Sequence, residues 1–254
     1  MKYCGVATIV CAMLLCSAID ATAAREDWQF GLKGGVNRSQ MKGTDVASVL
    51  SIPPKSFQIA GTVGDWMTGG VLGGFARRDF SEMTAIQFEM LYSQMGGTGP
   101  VWGDALVTAP GDVEYPAEIS GDLTLSLDYV QMPLMMVWTF PTDDRLALTA
   151  QLGGYFGLLV KSETRIRGEA VVTLPDASTR RVQFDQTWDA ENVREWDAGG
   201  LVGLGMVYSR GSVNWNFDAR WSFGLASLDA TSQQRDIRNN VLSFLVGVAW
   251  PLSK

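Results

Sequence analysis

The chain has no histidine, and its three cysteines, Cys4, Cys11 and Cys16, all fall within the first sixteen residues. Histidine is the commonest general base near neutral pH and the commonest transition-metal ligand, so chemistry that depends on it is removed. A chain shortened past residue 24 has no disulfide, no thiolate nucleophile and no cysteine metal site. Beyond that point no run approaches the ~18 consecutive apolar residues of a spanning helix. Excess positive charge is missing too: the formal net charge is −7, which argues against nucleic acid as a partner.

What is present starts with a leader. Met1-Lys2-Tyr3 precedes an apolar run over 6–16 and the small-residue stretch Ser17-Ala18-Ile19-Asp20-Ala21-Thr22-Ala23-Ala24. A positive start, apolar middle and small-residue end form a secretory signal peptide, cleaved after Ala23 or Ala24. The run is too short for a membrane anchor, and bulky Leu15 disfavours lipidation at Cys16. The domain division is therefore 1–24 signal peptide and 25–254 mature domain.

The chain is 46% hydrophobic, with 28 Gly and 9 Trp, and its apolar residues are spread by alternation. In 213–225, Val213, Trp215, Phe217, Ala219, Trp221, Phe223 and Leu225 alternate without a miss against Asn214, Asn216, Asp218, Arg220, Ser222 and Gly224. Period-2 alternation marks a strand with two unlike faces. Its length exceeds the ~5–6 residues usual in soluble sheets and suits a tilted membrane strand of ~9–11 residues with overhang.

Similar alternation recurs at 28–37, 84–95, 123–140, 145–160, 198–208 and 240–252. The Gly-dense stretch 67–76 is a further strand whose faces the pattern leaves open. In 123–140 the apolar parity slips near Tyr129-Val130, next to Pro133, and a β-bulge accounts for it. Connections alternate in length. Residues 39–65, 96–121, 161–197 and 226–239 read as long loops, and 77–82, 141–144 and 209–212 as short turns. Within 161–197, Pro175-Asp176-Ala177-Ser178 predicts an exposed charged hairpin. The expected fold is all-β: an eight-stranded antiparallel up-and-down transmembrane β-barrel, with short periplasmic turns, long outer loops and both termini in the periplasm.

Two residue sets follow. Trp28, Trp138, Phe140, Tyr208, Trp215 and Trp250 fall at strand ends beside short turns or termini, where amphipathic rings form a membrane-interface girdle. Lys33, Glu89, Asp218 and Arg220 fall on inner faces. Eight strands enclose a space just wide enough for side chains, and buried charges must be paired there. These four are expected to form one salt-bridged lumen plug, the alternative being an ion path. Gly199–Gly205, GGLVGLG, lacks the order of a phosphate cradle and reads as small residues leaving room in that lumen.

The segments 31–37 (GLKGGVN), 86–97 (IQFEMLYSQMGG), 127–138 (LDYVQMPLMMVW), 197–208 (DAGGLVGLGMVY), 217–225 (FDARWSFGL) and 242–250 (LSFLVGVAW), in that order, resemble the PorT-like small outer-membrane β-barrel domain family. The resemblance implies an outer-membrane location and, by analogy, a secretion or envelope accessory role. Gly247, Trp250 and Leu252 are similar to the terminal signal read by the barrel-assembly machinery, which implies that machinery as a partner during biogenesis.

Outer-membrane enzymes such as phospholipases, acyl transferases and omptin-type proteases move protons through histidine, so their mechanisms cannot be built here. The adjacent carboxylates Asp143-Asp144 sit in a turn, where aspartate serves turn geometry. No catalytic residue, metal site or cofactor is expected. The leading reading is a non-enzymatic outer-membrane protein in contact with outer-membrane lipid. It would be structural, adhesive or accessory, meeting an extracellular or envelope protein through its loops. A narrow channel and a soluble lipocalin-like binder with its aromatics inside are the rival readings.

Overall fold

The computed structural model describes residues 28–43, 58–109, 113–190, 193–228 and 237–251. The expected leader and residue Leu252 of the expected terminal signal lie outside them. The strands are β1 (Trp28–Gly43), β2 (Gln58–Gly61), β3 (Met67–Asp79), β4 (Thr84–Ala109), β5 (Val113–Pro141), β6 (Leu146–Thr173), β7 (Thr179–Asp189), β8 (Trp196–Arg210), β9 (Val213–Gly224) and β10 (Ile237–Pro251). Eight of them close an antiparallel ring in the order β1-β3-β4-β5-β6-β8-β9-β10, and β10 returns to β1 from Ile237↔Gly43 to Pro251↔Gln29. The other two are additions at one end, β2 against β4 and β7 against β6.

Short connections gather at the opposite end. In the turn after β5, the Asp143 carboxylate accepts the backbone N–H groups of Arg145 (2.8 Å) and Leu146 (2.7 Å), which holds it below the usual carboxylate range. The turn read at 77–82 is shorter than expected, because β3 runs on to Asp79.

On the lower part of the ring the greasy side chains point out. Leu32, Leu72, Phe88, Met90, Leu134, Leu148, Leu152, Leu204, Phe217 and Phe244 are exposed. A soluble lipocalin-like barrel would turn these aromatics inward; here Trp215, Phe217 and Phe244 face out and Asp218 is buried. The stretch 67–76 resolves the same way: Val71 and Phe75 point in and Leu72 points out.

Above this band the two faces exchange character. On β5 the odd-numbered residues point inward along the whole strand: Leu123, Leu125, Leu127 and Tyr129 above, Pro133, Met135 and Val137 below. The outward residues are Val130, Met132, Leu134, Met136, Trp138 and Phe140 below, but Asp122, Thr124, Ser126 and Asp128 above. The slip near Tyr129-Val130 is therefore a change of surroundings along an unbroken face, not a bulge in that strand. A bulge does lie at this height, but on β6: Asp128 pairs with Lys161 and Tyr129 with Leu159, leaving Val160 as the extra residue.

The loop expected over 96–121 is also corrected. β4 and β5 continue as a ladder as far as Ala109↔Val113, and the 39–65 segment carries the end of β1 and all of β2. The hairpin expected inside 161–197 is present as β6 and β7. These extensions enclose an ordinary apolar core: Met41, Val63, Met95, Val101, Leu123, Leu125, Leu127, Tyr129, Ile166, Leu228, Ile237 and Val241. Each large side chain buried this way contributes about 1.5–3 kcal/mol relative to exposure.

Candidate functional site: a closed lumen under a projecting sheet

Lys33 from β1, Glu89 from β4, and Asp218 and Arg220 from β9 reach the middle of the ring because each occupies an inward position of its strand. Lys33 Nζ donates to Glu89 Oε1 at 2.8 Å and to Asp218 Oδ2 at 2.7 Å. Arg220 takes Glu89 end-on, Nη1 to Oε2 at 2.6 Å and Nη2 to Oε1 at 2.9 Å, and its Nη2 also reaches Asp218 Oδ2 at 3.1 Å. Two cations meet two anions, so the formal charge cancels. All four side chains are at most 4% exposed.

Two glutamines complete the cluster. Gln151 from β6 accepts Arg220 Nε at 2.8 Å and donates to Asp218 Oδ1 at 2.7 Å. Gln87 donates to Glu89 Oε1 at 2.6 Å. Their neutral amides carry no charge signal in the sequence. The clue available was position: Gln87 is the inward neighbour of Glu89, and Gln151 faces Gly203, which in turn faces Arg220. Gly203 and Gly205 leave the necessary room, since a Cβ at Gly203 would stand 3.0 Å from Arg220 Cγ and one at Gly205 2.5 Å from Asp218 Oδ1. The Lys33 ammonium also lies 4.9 Å from the centroid of the Phe75 ring.

Between this layer and the apolar core above it lies a cavity of about 20 Å³, lined in part by Asn37, Gln131, Tyr155, Arg220, Ser222 and Ser243. That is about the space of a single water. A second polar group sits at the junction. Asp197, which the sequence placed in an exposed charged segment, is fully buried; its Oδ2 accepts Tyr155 OH at 3.0 Å and Asn239 Nδ2 at 2.9 Å.

The six aromatics expected to form a membrane-interface girdle lie outward at the short-turn end. Trp28 stacks on Phe30 at 6.1 Å, Phe30 pairs with Trp250, and Tyr208 pairs with Trp215. Trp138 and Phe140 flank the turn after β5. At the other edge of the apolar band stand Trp66, Tyr92, Phe156, Trp196 and Trp221.

Past that edge the β6–β7 ribbon is charged and exposed. Asp185 accepts Arg165 Nη2 at 2.5 Å and Arg167 Nη2 at 2.9 Å, and these bonds hold its carboxyl well below the usual range. Among the described residues, no three His, Cys, Asp or Glu side chains gather as a metal site.

Residues 20–230 match the model of the family described as "Outer membrane protein beta-barrel domain". No curated protein matches the chain in sequence. Among solved structures, it is similar to Ail, the attachment invasion locus protein of Yersinia pestis, in complex with the heparin analogue sucrose octasulfate (12% identity, 88% of this chain and 99% of that one, TM-score 0.36). It is similar as well to Neisserial surface protein A (14% identity, 87% and 96%, TM-score 0.35). A third is the outer membrane protease OmpT from Escherichia coli (10% identity, 92% and 100%, TM-score 0.35). The chain belongs to the outer membrane protein beta-barrel domain family and is an integral protein of the outer membrane.

Proposed function

We propose that this barrel is a closed, non-enzymatic membrane anchor whose working surface is the sheet formed by β2, β4, β5, β6 and β7 beyond the bilayer. The observation that carries this reading is the pairing of a charge-neutral layer across the lumen with a closed apolar core above it, separated by a polar junction whose cavity has room for about one water. An ion would have to break buried ion pairs and, past the polar junction, cross the apolar core, each a large barrier. The four charged residues act as a plug and not as a path, and the outward aromatics at the short-turn end act as the periplasmic girdle.

In this reading the first 24 residues are a cleaved leader and the barrel-assembly machinery inserts the chain. The projecting sheet then meets an extracellular or envelope protein in a structural, adhesive or secretion-accessory role. The PorT-like resemblance supports the accessory variant. Two measurements test the proposal together. In planar bilayers the purified protein should give no steady openings; regular unitary conductance that Arg220→Ala abolishes would support the channel instead. In cross-linked intact cells, a partner captured by the wild type should be lost when residues 163–189 are replaced by a short turn. Capture that persists would move the working surface elsewhere.

A further inference from the structure

Two arginines stand at the first outward positions beyond the apolar band, each laid on a tryptophan. On the β1/β3 seam, the Arg38 guanidinium lies 5.8 Å from the centroid of the Trp66 ring. Just below it, outward Val36 pairs with Phe244 and Gly70. On the β6/β8 seam, the Arg194 guanidinium lies 5.0 Å from the centroid of Trp196. Trp196 stacks on Phe156 at 6.3 Å and pairs with Leu158.

A guanidinium within about 6 Å of a ring centroid is drawn to the ring without using up its N–H donors, and those donors form the fork that fits phosphate. Among the described residues neither arginine has a carboxylate partner in the ion pairs present. The cations nearby differ. Lys161 is paired with Glu163 at 2.9 Å, and at the short-turn end Arg77 is paired with Asp79 at 2.8 Å. The chain as a whole is acidic, with a net charge of −7, so attraction for an anion at these points is local and not a consequence of overall charge.

We infer that Arg38–Trp66 and Arg194–Trp196 are two binding sites for phosphorylated lipid headgroups in the outer leaflet. In each, the tryptophan lies at acyl-chain level and the arginine receives the phosphate. The ring order places the two seams four strands apart in either direction, so each site takes a different lipid molecule and the barrel is gripped from opposite sides. Basic side chains at the bilayer surface recognise lipid phosphates in this way.

The test uses the full-length protein, folded in detergent and supplied with bis-phosphorylated lipid A or with the same lipid stripped of phosphate. Bound lipid is read by native mass spectrometry. Wild type should retain the phosphorylated form preferentially. Arg38→Gln and Arg194→Gln should each remove one site, and the double substitution should lower retention about tenfold, the scale of a lost charge-assisted contact. Arg→Lys at both positions should restore part of it. Equal retention of the two lipids by wild type would overturn the inference, and that comparison needs no variant to fold. Unchanged retention by a double variant that still shows folded, heat-modifiable migration would overturn it as well. So would displacement of the lipid by millimolar inorganic phosphate, which would make the sites free-anion sites.

Discussion

Arg220 meets Glu89 through two parallel hydrogen bonds, of 2.6 and 2.9 Å, deep inside the ring and far from solvent. The two residues come from β9 and β4, which are not neighbours in the ring. The contact therefore crosses the lumen and ties opposite walls together.

Breaking it should be costly. Arg220→Met leaves Glu89 and Asp218 with only Lys33 between them, and removal of one partner of a buried pair costs about 3–5 kcal/mol. Replacing both sides, Arg220→Met with Glu89→Gln, should cost less than the sum of the single changes, because the formal charge of the layer is again balanced between Lys33 and Asp218. Urea unfolding followed by tryptophan fluorescence in micelles measures both. Additive losses would mean that the layer does not act as a unit.

The Tyr155 ring occupies the place where a side chain at Gly199 would be, with Cε1 2.6 Å from an ideal Cβ. The Phe223 carbonyl oxygen is nearer still, at 2.2 Å, so Gly199→Ala should push β8 and β9 apart as well as displace Tyr155 from Asp197, at a cost of about 1–3 kcal/mol or more as for other overpacked sites. Gly64→Ala is the control, since its Cβ would meet only Met41 O at 3.9 Å. Equal stability of the two variants would contradict the packing described.

The β6–β7 ribbon should respond to acid in one direction. Asp185 has its pKa depressed by hydrogen bonds from Arg165 and Arg167. Its contribution is then fully present above the unfolded value of about 3.9 and is lost as pH falls through the lower folded value. Amide exchange in 163–189, corrected for its intrinsic pH dependence, should be flat from neutral pH down to about 4 and rise below it. Asp185→Asn should remove that step. The side chains are exposed, so the effect is small and local.

Tryptophan depth separates the aromatic sets. Trp28, Trp138, Trp215 and Trp250 at one edge and Trp66, Trp196 and Trp221 at the other should be quenched by lipids brominated near the headgroup end of the acyl chain more than by those brominated near its tip. Trp102 and Trp188, on the projecting sheet, should be quenched by neither. Efficient quenching of Trp102 or Trp188 would place the bilayer boundary too low.

Much of this was legible because a membrane strand separates its faces strictly, as 213–225 does. The meeting of Lys33, Glu89, Asp218 and Arg220 inside the ring could be read from parity alone, since a charge on an inward face of a narrow barrel has nowhere else to go. Parity could not say what lies beyond each face. On β5 the change from Leu127 to Val130 reads as a shifted strand, but the strand keeps its faces and leaves the bilayer. The stretch after Met95 looked like a loop because Gly96, Gly97, Gly99 and Pro100 are poor strand formers. They are held in place by close approach: a side chain at Gly97 would collide with the backbone at Val63. Gln87 and Gln151 were missed because hydrogen bonding to charged neighbours depends on distances that only the folded ring supplies.

The central claim is that the outward face of β5 passes from lipid to water between Val130 and Ser126, across an Asp128 that is itself covered and accepts Tyr92 OH at 2.5 Å, while the inward face stays closed throughout. Single cysteines placed along 122–138 in a chain with Cys4, Cys11 and Cys16 replaced by alanine, probed on intact cells with a membrane-impermeant maleimide, test it directly. Positions 122, 124 and 126 should label, whereas 132, 134 and 136 on the same face, and 123, 125 and 127 on the other, should not. Labelling at 125 and 127, or at 134 and 136, would contradict it.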